Sequence, residues 1–441
     1  MRGCAAGGGG ANPGGYAVLP QSGPRSAAER NERRFYTVID LGTIGGTISN
    51  AVSINEVGWI AGTANEAGDK YSQATLWRDD EKKALGTLGG PNSGVDWPNH
   101  NNFGLIAGIS ETAEVDHLGE DWSCQAFFPT IPDTKHVCLG FVWYRGTMRP
   151  LPTLGGINGY AAGTNDWGQI VGWAETAYHD PTCTAVTKTP NSFYQVLQFE
   201  PVVWDRDREI RRLRTLPGDP DGAATAINDR GQAVGISGTC DQAVGRFTAK
   251  HAVIWQAEGR VSRLPDFGGI SWSTPQSINN RGQVVGFENL PGDTSGQFQP
   301  IGFFWSEKTG LVKINPLPGD TNTEAAGVND RGQVVGVSYN PSTTRLPRAI
   351  LWENGRTFDL NCFLPEGSRL YLLSANDIDD RGNIVGQAQV LGTTEQPAFL
   401  AKPPDRWDAP AETPVRSSLA SPVVSQAVRN QVFRRLGIRV P

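Results

Sequence analysis

The stretch Ile278-Asn279-Asn280-Arg281-Gly282-Gln283-Val284-Val285-Gly286, with its near copies INDRGQAVG from Ile227 and VNDRGQVVG from Val328, decides the fold of this chain. Each copy is an apolar residue, an Asn-x-x-Gly tetrad and a short apolar run that ends in a second glycine. Asn-Asp-Arg-Gly suits a type I turn followed by a glycine in the left-handed region, where a side chain would be strained. β-Branched runs on either side of such a turn read as a hairpin. Copies begin at Asn55, Asn101, Asn165, Asn228, Asn279 and Asn329, and Asp379 stands in the seventh. Self-similarity on this scale marks a repeat architecture.

Two further motifs recur in fixed order with the first. One reads LGTIGG from Leu41, LGTLGG from Leu85, LPTLGG from Leu151, LRTLPG from Leu213 and LPDFGG from Leu264, with degenerate copies INPLPG from Ile314 and LNCFLP from Leu360. The other is an apolar strand that ends in Trp77, Trp143, Trp204, Trp255, Trp305 or Trp352, with Ala398-Phe399-Leu400 as the seventh copy. Each unit parses as four short strands, and four strands repeated seven times is the arithmetic of an all-β, seven-bladed β-propeller with antiparallel blades. The last unit runs out after its third strand, whereas Phe35-Tyr36-Thr37-Val38-Ile39 stands alone before the first LGTIGG. The N-terminal strand is therefore predicted to complete the last blade, which closes the ring and removes exposed strand edges. The domain reading is a disordered segment over 1–34, the propeller over 35–404, and a linker with a short basic helix or tail over 405–441.

Composition agrees and sets limits. Glycine (54) and proline (30) are abundant while charged residues make up 19%, which is turn-rich rather than helical. A net charge of −6 argues against nucleic acid, which needs a basic face. No run of about 18 apolar residues exists to span a membrane, and residues 1–34 show no apolar stretch of signal-peptide length. A monomer is expected.

Of the six cysteines, Cys124 and Cys138 bracket one long insertion, and Cys183 and Cys240 lie in two consecutive ones. Both pairs are candidate disulfides, and no zinc spacing is present. The repeat resembles the HAF repeat family of bacterial extracellular proteins over about residues 35 to 404. The resemblance rests on LGTLGG, on INDRGQVVG-type turns and on His251-Ala252-Val253-Ile254-Trp255, close to the family's His-Ala-Phe-Leu-Trp segment. Gly302-Phe303-Phe304-Trp305 and Ala349-Ile350-Leu351-Trp352 depart from it by lacking the histidine. The resemblance implies an extracellular or periplasmic location and oxidised cysteines. It implies no activity.

In an up-and-down meander alternate loops fall at one end, so the Asn-x-x-Gly turns share one face and the long insertions the other. Variable loops on a rigid scaffold are where binding usually sits. The candidate ligand-binding residues on that long-loop face are Trp97, Trp122, His117, Tyr160, His179 and Trp272, aromatics able to stack on a sugar or anchor a protein partner. The competing reading is that they pack the insertions against the propeller. The turn asparagines are read as bonded to their own backbone rather than to calcium, so no metal or cofactor is implied. Arg230, Arg281, Arg331 and Arg381 are expected to be solvated.

No H-E-x-x-H, G-x-S-x-G, P-loop or G-x-G-x-x-G motif occurs, and no catalytic residue is assigned. The expected function is a non-enzymatic binding or interaction scaffold for a glycan or protein. The alternative is a propeller hydrolase or lyase in which His117, His136 and His179 meet nearby carboxylates across the two longest insertions. His100, in place of the apolar residue before Asn101, is a candidate to face the central channel.

Overall fold

The computed structural model describes residues 35–120, 124, 127–128, 134–183, 195–240, 250–268, 273–289, 299–404, 429 and 432. These residues build seven four-stranded antiparallel sheets arranged as a propeller. In six of them the strands lie in chain order, as in Ser49–Ile54, Ile60–Asn65, Ser72–Arg78 and Glu81–Ala84 of blade 1. The first strands of neighbouring blades touch from blade 3 through blade 7 and on to blade 1, so the first strand of each blade faces the axis.

Blade 7 is completed from the other end of the chain, as the orphan strand predicts. Thr37–Gly42 pairs antiparallel with Ala398–Lys402, placing Ile39 opposite Leu400. Tyr36 anchors the entry to this strand: its N–H donates to Phe363 O at 2.9 Å. Its ring is buried in a cluster with Phe358, Phe363 and Phe399. Residues 1–34 and most of 405–441 lie outside the described residues. From the C-terminal segment, Arg429 Nη2 donates to Pro341 O at 2.6 Å, and Val432 is buried with Leu346, Tyr371 and Leu373.

The second glycine of the repeat has a steric cause. A Cβ on Gly235, Gly286, Gly336 or Gly386 would stand 2.0–2.2 Å from a carbonyl oxygen of the blade's own first strand. That strand carries a bulge at this level, for example between Ala224 and Ala226 and between Pro275 and Ser277. The bulge pushes one carbonyl toward its neighbour, and only glycine leaves room.

The turn asparagine does two jobs. Within its own turn Asn279 Oδ1 accepts from Arg281 N at 3.0 Å and Gln283 N at 2.9 Å, the side-chain-to-backbone turn expected of this residue. Its amide then reaches across to the next blade, where Asn279 Nδ2 donates to Asn329 O at 2.8 Å. The same clasp links Asn55 to Asn101, Asn101 to Asn165, Asn165 to Asn228, Asn228 to Asn279 and Asn329 to Asp379. Asp379 has no amide to donate. There Arg381 takes over, with Nη2 donating to Glu56 O of blade 1 at 2.5 Å, so this arginine bridges two blades while its side chain stays exposed, as expected of the turn arginines.

A second circle runs one residue further along each turn. Glu56 N donates to Asn102 Oδ1, Asn102 N to Asp166 Oδ1, Asp166 N to Asp229 Oδ1 and Asp229 N to Asn280 Oδ1. Asn280 N then donates to Asp330 Oδ1, Asp330 N to Asp380 Oδ1, and Asp380 N to Glu56 Oε1 at 2.9 Å, which closes the ring. His100 sits among these acids with Nε2 3.5 Å from Asp377 Oδ2. Burial acts to lower its pKa, but the charges of Asp377, Glu56 and Asp229 outweigh burial and the net shift is upward.

Removing one clasp tests this arrangement. Asn279→Ala deletes two acceptor and two donor contacts of a buried side chain and is expected to cost about 2–4 kcal/mol in urea unfolding. Asn279→Asp keeps both acceptor contacts but sets a buried carboxylate oxygen against Asn329 O, and should be destabilising as well. An Asn279→Ala protein as stable as the parent would show that the clasp contributes nothing.

Candidate site on the long-loop face

The insertions stand on extended second strands. Leu105–Val115 of blade 2 and Ile170–His179 of blade 3 have 11 and 10 residues, against 6 for Ile60–Asn65 of blade 1. Two disulfides hold what they carry. Cys124–Cys138 closes the insertion of blade 2, and Cys183–Cys240 ties that of blade 3 to that of blade 4, as the cysteine positions suggested. Cys362 is disulfide-bonded too, and none of the described cysteines is free. Disulfides of this kind persist in oxidising compartments. Among the described residues no helix is long and apolar enough to cross a membrane.

The run from Gly90 to Asn101 in blade 2 is two residues longer than that from Gly46 to Asn55 in blade 1. The extra length leaves the ladder: pairing with the second strand stops at Gly94 opposite Ile109. The Asn99 side chain then stands in for the missing backbone and accepts from Ala107 N at 2.8 Å. Asp96 and Trp97 ride on this bow. The Trp97 ring meets Tyr160 edge-on at 5.1 Å and Phe127 at 5.7 Å, and Tyr160 continues to Trp173 at 6.5 Å. Burial pushes the Asp96 carboxyl, which lies against the Tyr160 hydroxyl, up to about 7.

Beside the aromatics lies a set of buried carboxyls. Glu111 and Glu175 occupy matching places in blades 2 and 3. Glu111 Oε2 accepts from Asn92 N at 3.0 Å, and Glu175 Oε2 accepts from Asn158 N at 2.7 Å. These bonds hold the incoming first strand and are structural. Glu120 reaches over from the blade 2 insertion and accepts from Val196 N and Leu197 N of blade 3. Burial pushes Glu120 up to about 7. Burial, with the Glu120 charge added, takes Glu175 up to about 8. Asp221 of blade 4 rises to about 9 by burial and by its contact with Asp180. Glu120 Oε2, Glu175 Oε1, Trp97 Nε1 and His136 Nδ1 are buried with no hydrogen-bond partner among the described residues. Buried polar atoms are rarely left so, and bound solvent is their usual partner.

The candidates named from sequence are placed unevenly. Trp97 is half-buried and Tyr160 fully buried, so Tyr160 is a packing residue and not a stacking platform. His117 and His179 are exposed, and His136 is half-buried. Among the described residues no three His, Cys, Asp or Glu side chains form a group able to hold a metal ion. Trp122 and Trp272 lie outside the described residues. Asp96, Glu111, Glu120 and Asp221 were missed. Only the length excess before Asn101 signalled any of them.

Comparison with known proteins assigns no function. A family model described as a protein of unknown function, DUF3466, matches residues 218–403, the part that holds blades 4 to 7. No curated protein matches. Among solved structures the chain is similar to a catalytically inactive virginiamycin B lyase from Staphylococcus aureus with quinupristin. The TM-score is 0.46 at 8% identity, covering 83% of this chain and 99% of that one. It is also similar to an acylaminoacyl peptidase from Pyrococcus horikoshii, with TM-score 0.46 at 9% identity, covering 82% of this chain and 52% of that one. Likenesses this distant carry no activity across.

The raised carboxyls make stability depend on pH with a definite sign. A carboxyl whose folded pKa exceeds its unfolded value, near 4, keeps a proton that the unfolded chain gives up. Its contribution is whole below about pH 4 and is lost as pH rises through the folded values of about 7 to 9. Urea unfolding should therefore show lower stability at about pH 9 than at about pH 5. Glu175→Gln and Asp221→Asn should each flatten that slope, and parallel slopes in parent and variants would rule these groups out as its source.

Proposed function

We propose that this chain is an extracellular or periplasmic binding propeller of HAF-repeat type that receives a glycan or protein on the long-loop face of blades 2 to 4. The observation that carries this reading is the set of buried groups without a partner among the described residues, Trp97 Nε1, His136 Nδ1, Glu120 Oε2 and Glu175 Oε1, in blades whose insertions are cross-linked by disulfides. Polar groups already held on neighbouring strands lower the entropy lost on binding. Aromatic surface beside carboxyls suits a polyhydroxylated ligand, whose ring faces stack and whose hydroxyls donate.

A second reading, a hydrolase or lyase, is favoured by one observation. Glu175, pushed up to about 8 next to Glu120, holds a proton at neutral pH and has the protonation state of a general acid. The exposed His117 and His179 add no support for it, since they complete no metal-holding group.

A glycan array probed with the oxidised protein tests the first reading. A specific hit that weakens about tenfold or more in Trp97→Ala, and again in Cys183→Ser/Cys240→Ser with the propeller still folded by circular dichroism, is the expected result. A hit indifferent to both changes would move the site elsewhere. Turnover of the bound glycan that Glu175→Gln abolishes without loss of binding would favour the enzyme.

A further inference from the structure

The opposite face holds a second candidate site, a cleft of about 430 Å³ between blades 3 and 4. It is independent of the long-loop face. Two features of the sequence open it. Trp167 occupies the turn position that carries Arg230, Arg281, Arg331 and Arg381 in blades 4 to 7. Across the gap, Gly231 and Ala257 of blade 4 are small, and a Cβ on Gly231 would already touch Ala257 Cβ at 3.2 Å. The floor is apolar, built from Val203, Leu213, Ile227 and the fully buried Trp255.

Trp167 is 68% exposed, which is unusual for so large an apolar side chain on an ordered turn. Its indole is nevertheless fixed, because Nε1 donates to Asp229 O of the next blade at 2.8 Å. The ring is thus a held plane standing at the rim of the cleft. Arg206 and Arg211 on the blade 3 side line the same cleft, joined by Arg230 from blade 4. Their neighbour Arg212 pairs with Glu200 at 3.0 Å, whereas Arg206 and Arg211 are exposed cations lining the cavity itself. Asp205 contributes a carboxyl oxygen, Oδ1, that is buried and has no hydrogen-bond partner among the described residues. Gln169, Gln256 and Asp229 complete the polar lining, the Asp229 carboxylate already accepting from Asp166 N and Asn280 Nδ2.

We infer that this cleft binds an acidic pyranose, a uronate residue of a polysaccharide. Each part of such a ligand meets a group it needs. The C–H face of the sugar ring stacks on the fixed indole, as polarised C–H bonds do on an aromatic face. The uronate carboxylate takes the paired N–H fork that a guanidinium offers and an ammonium lacks. Ring hydroxyls donate to the open Asp205 oxygen and accept from Nε2 of Gln169 and Gln256, whose Oε1 atoms already accept from Asn165 and Gln232. A neutral sugar would leave the guanidinium groups unpaired, and a simple anion would leave the indole unused. The cleft therefore selects for both properties in one ligand.

The test is calorimetric titration of the full oxidised chain with trigalacturonate, with the neutral trigalactoside as its partner arm. Saturable binding with Kd of about 0.1–1 mM is expected for trigalacturonate, and binding at least tenfold weaker for the neutral sugar. Trp167→Arg installs the residue that four other turns already carry, so it preserves the fold, and it should weaken binding tenfold or more. Trp167→Phe keeps the ring and loses only the indole bond, and should retain most of the affinity. Arg211→Lys should fall well below the parent. Trp97→Ala, on the far end of the molecule, should leave binding unchanged, which separates this site from the long-loop face. Absence of saturable binding, equal affinity for the neutral sugar, or a Trp167→Arg variant that binds like the parent would each overturn the inference.

Discussion

Six of the seven blades are held to the next by a side-chain amide that donates to a backbone carbonyl across the gap, and the ring stands or falls with that bond. The geometry is demanding. Asn279 must keep its oxygen on its own turn while its nitrogen spans to Asn329. Only asparagine offers an acceptor and a donor at that short reach. The clasp also explains why the turn is so nearly invariant from unit to unit, whereas the connections at the other end vary freely. Where the amide is missing, at Asp379, the chain substitutes Arg381 and the closing contact between Asp380 N and Glu56. The seam of the ring thus has its own chemistry. It is the same seam that Thr37–Gly42 crosses to complete blade 7.

The two ends of the propeller divide the work. The turn end is a closed circle of carboxylates and amides with His100 inside it, and its backbone groups are used up in blade-to-blade bonds. The long-loop end is built from additions to that frame: a bow in blade 2, lengthened second strands in blades 2 and 3, and two cross-links. Additions bring polar groups into contact without a repeating plan to satisfy them. This is why unpaired oxygens such as Glu120 Oε2 and Glu175 Oε1 collect there.

Periodicity made most of the frame legible in advance. A turn that recurs seven times can be aligned with itself, so blade number, strand order and the N-terminal closure all follow from internal comparison of one chain. The cysteine positions likewise pointed to the two bonds seen. The site was far less legible. Glu120 earns its role only by meeting Val196 and Leu197, which lie 76 and 77 residues away in another insertion. Tyr160 reads as a long-loop-face aromatic that either binds or packs, and it is 1% exposed with the Trp97 ring edge-on against it, so it packs. Trp167 was passed over because it sits in the turn motif, where the repeat draws attention to the shared residues and away from the exception. Non-repeating contacts are the ones a repeat-based reading loses.

The claim on which the account rests is that residues from the two ends of the chain close one ring. Hydrogen exchange followed by mass spectrometry, resolved on the peptide that contains Thr37–Gly42, measures this directly. The account predicts that the amides bonded to Ala398–Lys402 exchange about as slowly as those of the neighbouring strand Ile384–Val390. Exchange of the N-terminal strand at unprotected rates, with blade 7 otherwise protected, would show an open ring and contradict the structure at its seam.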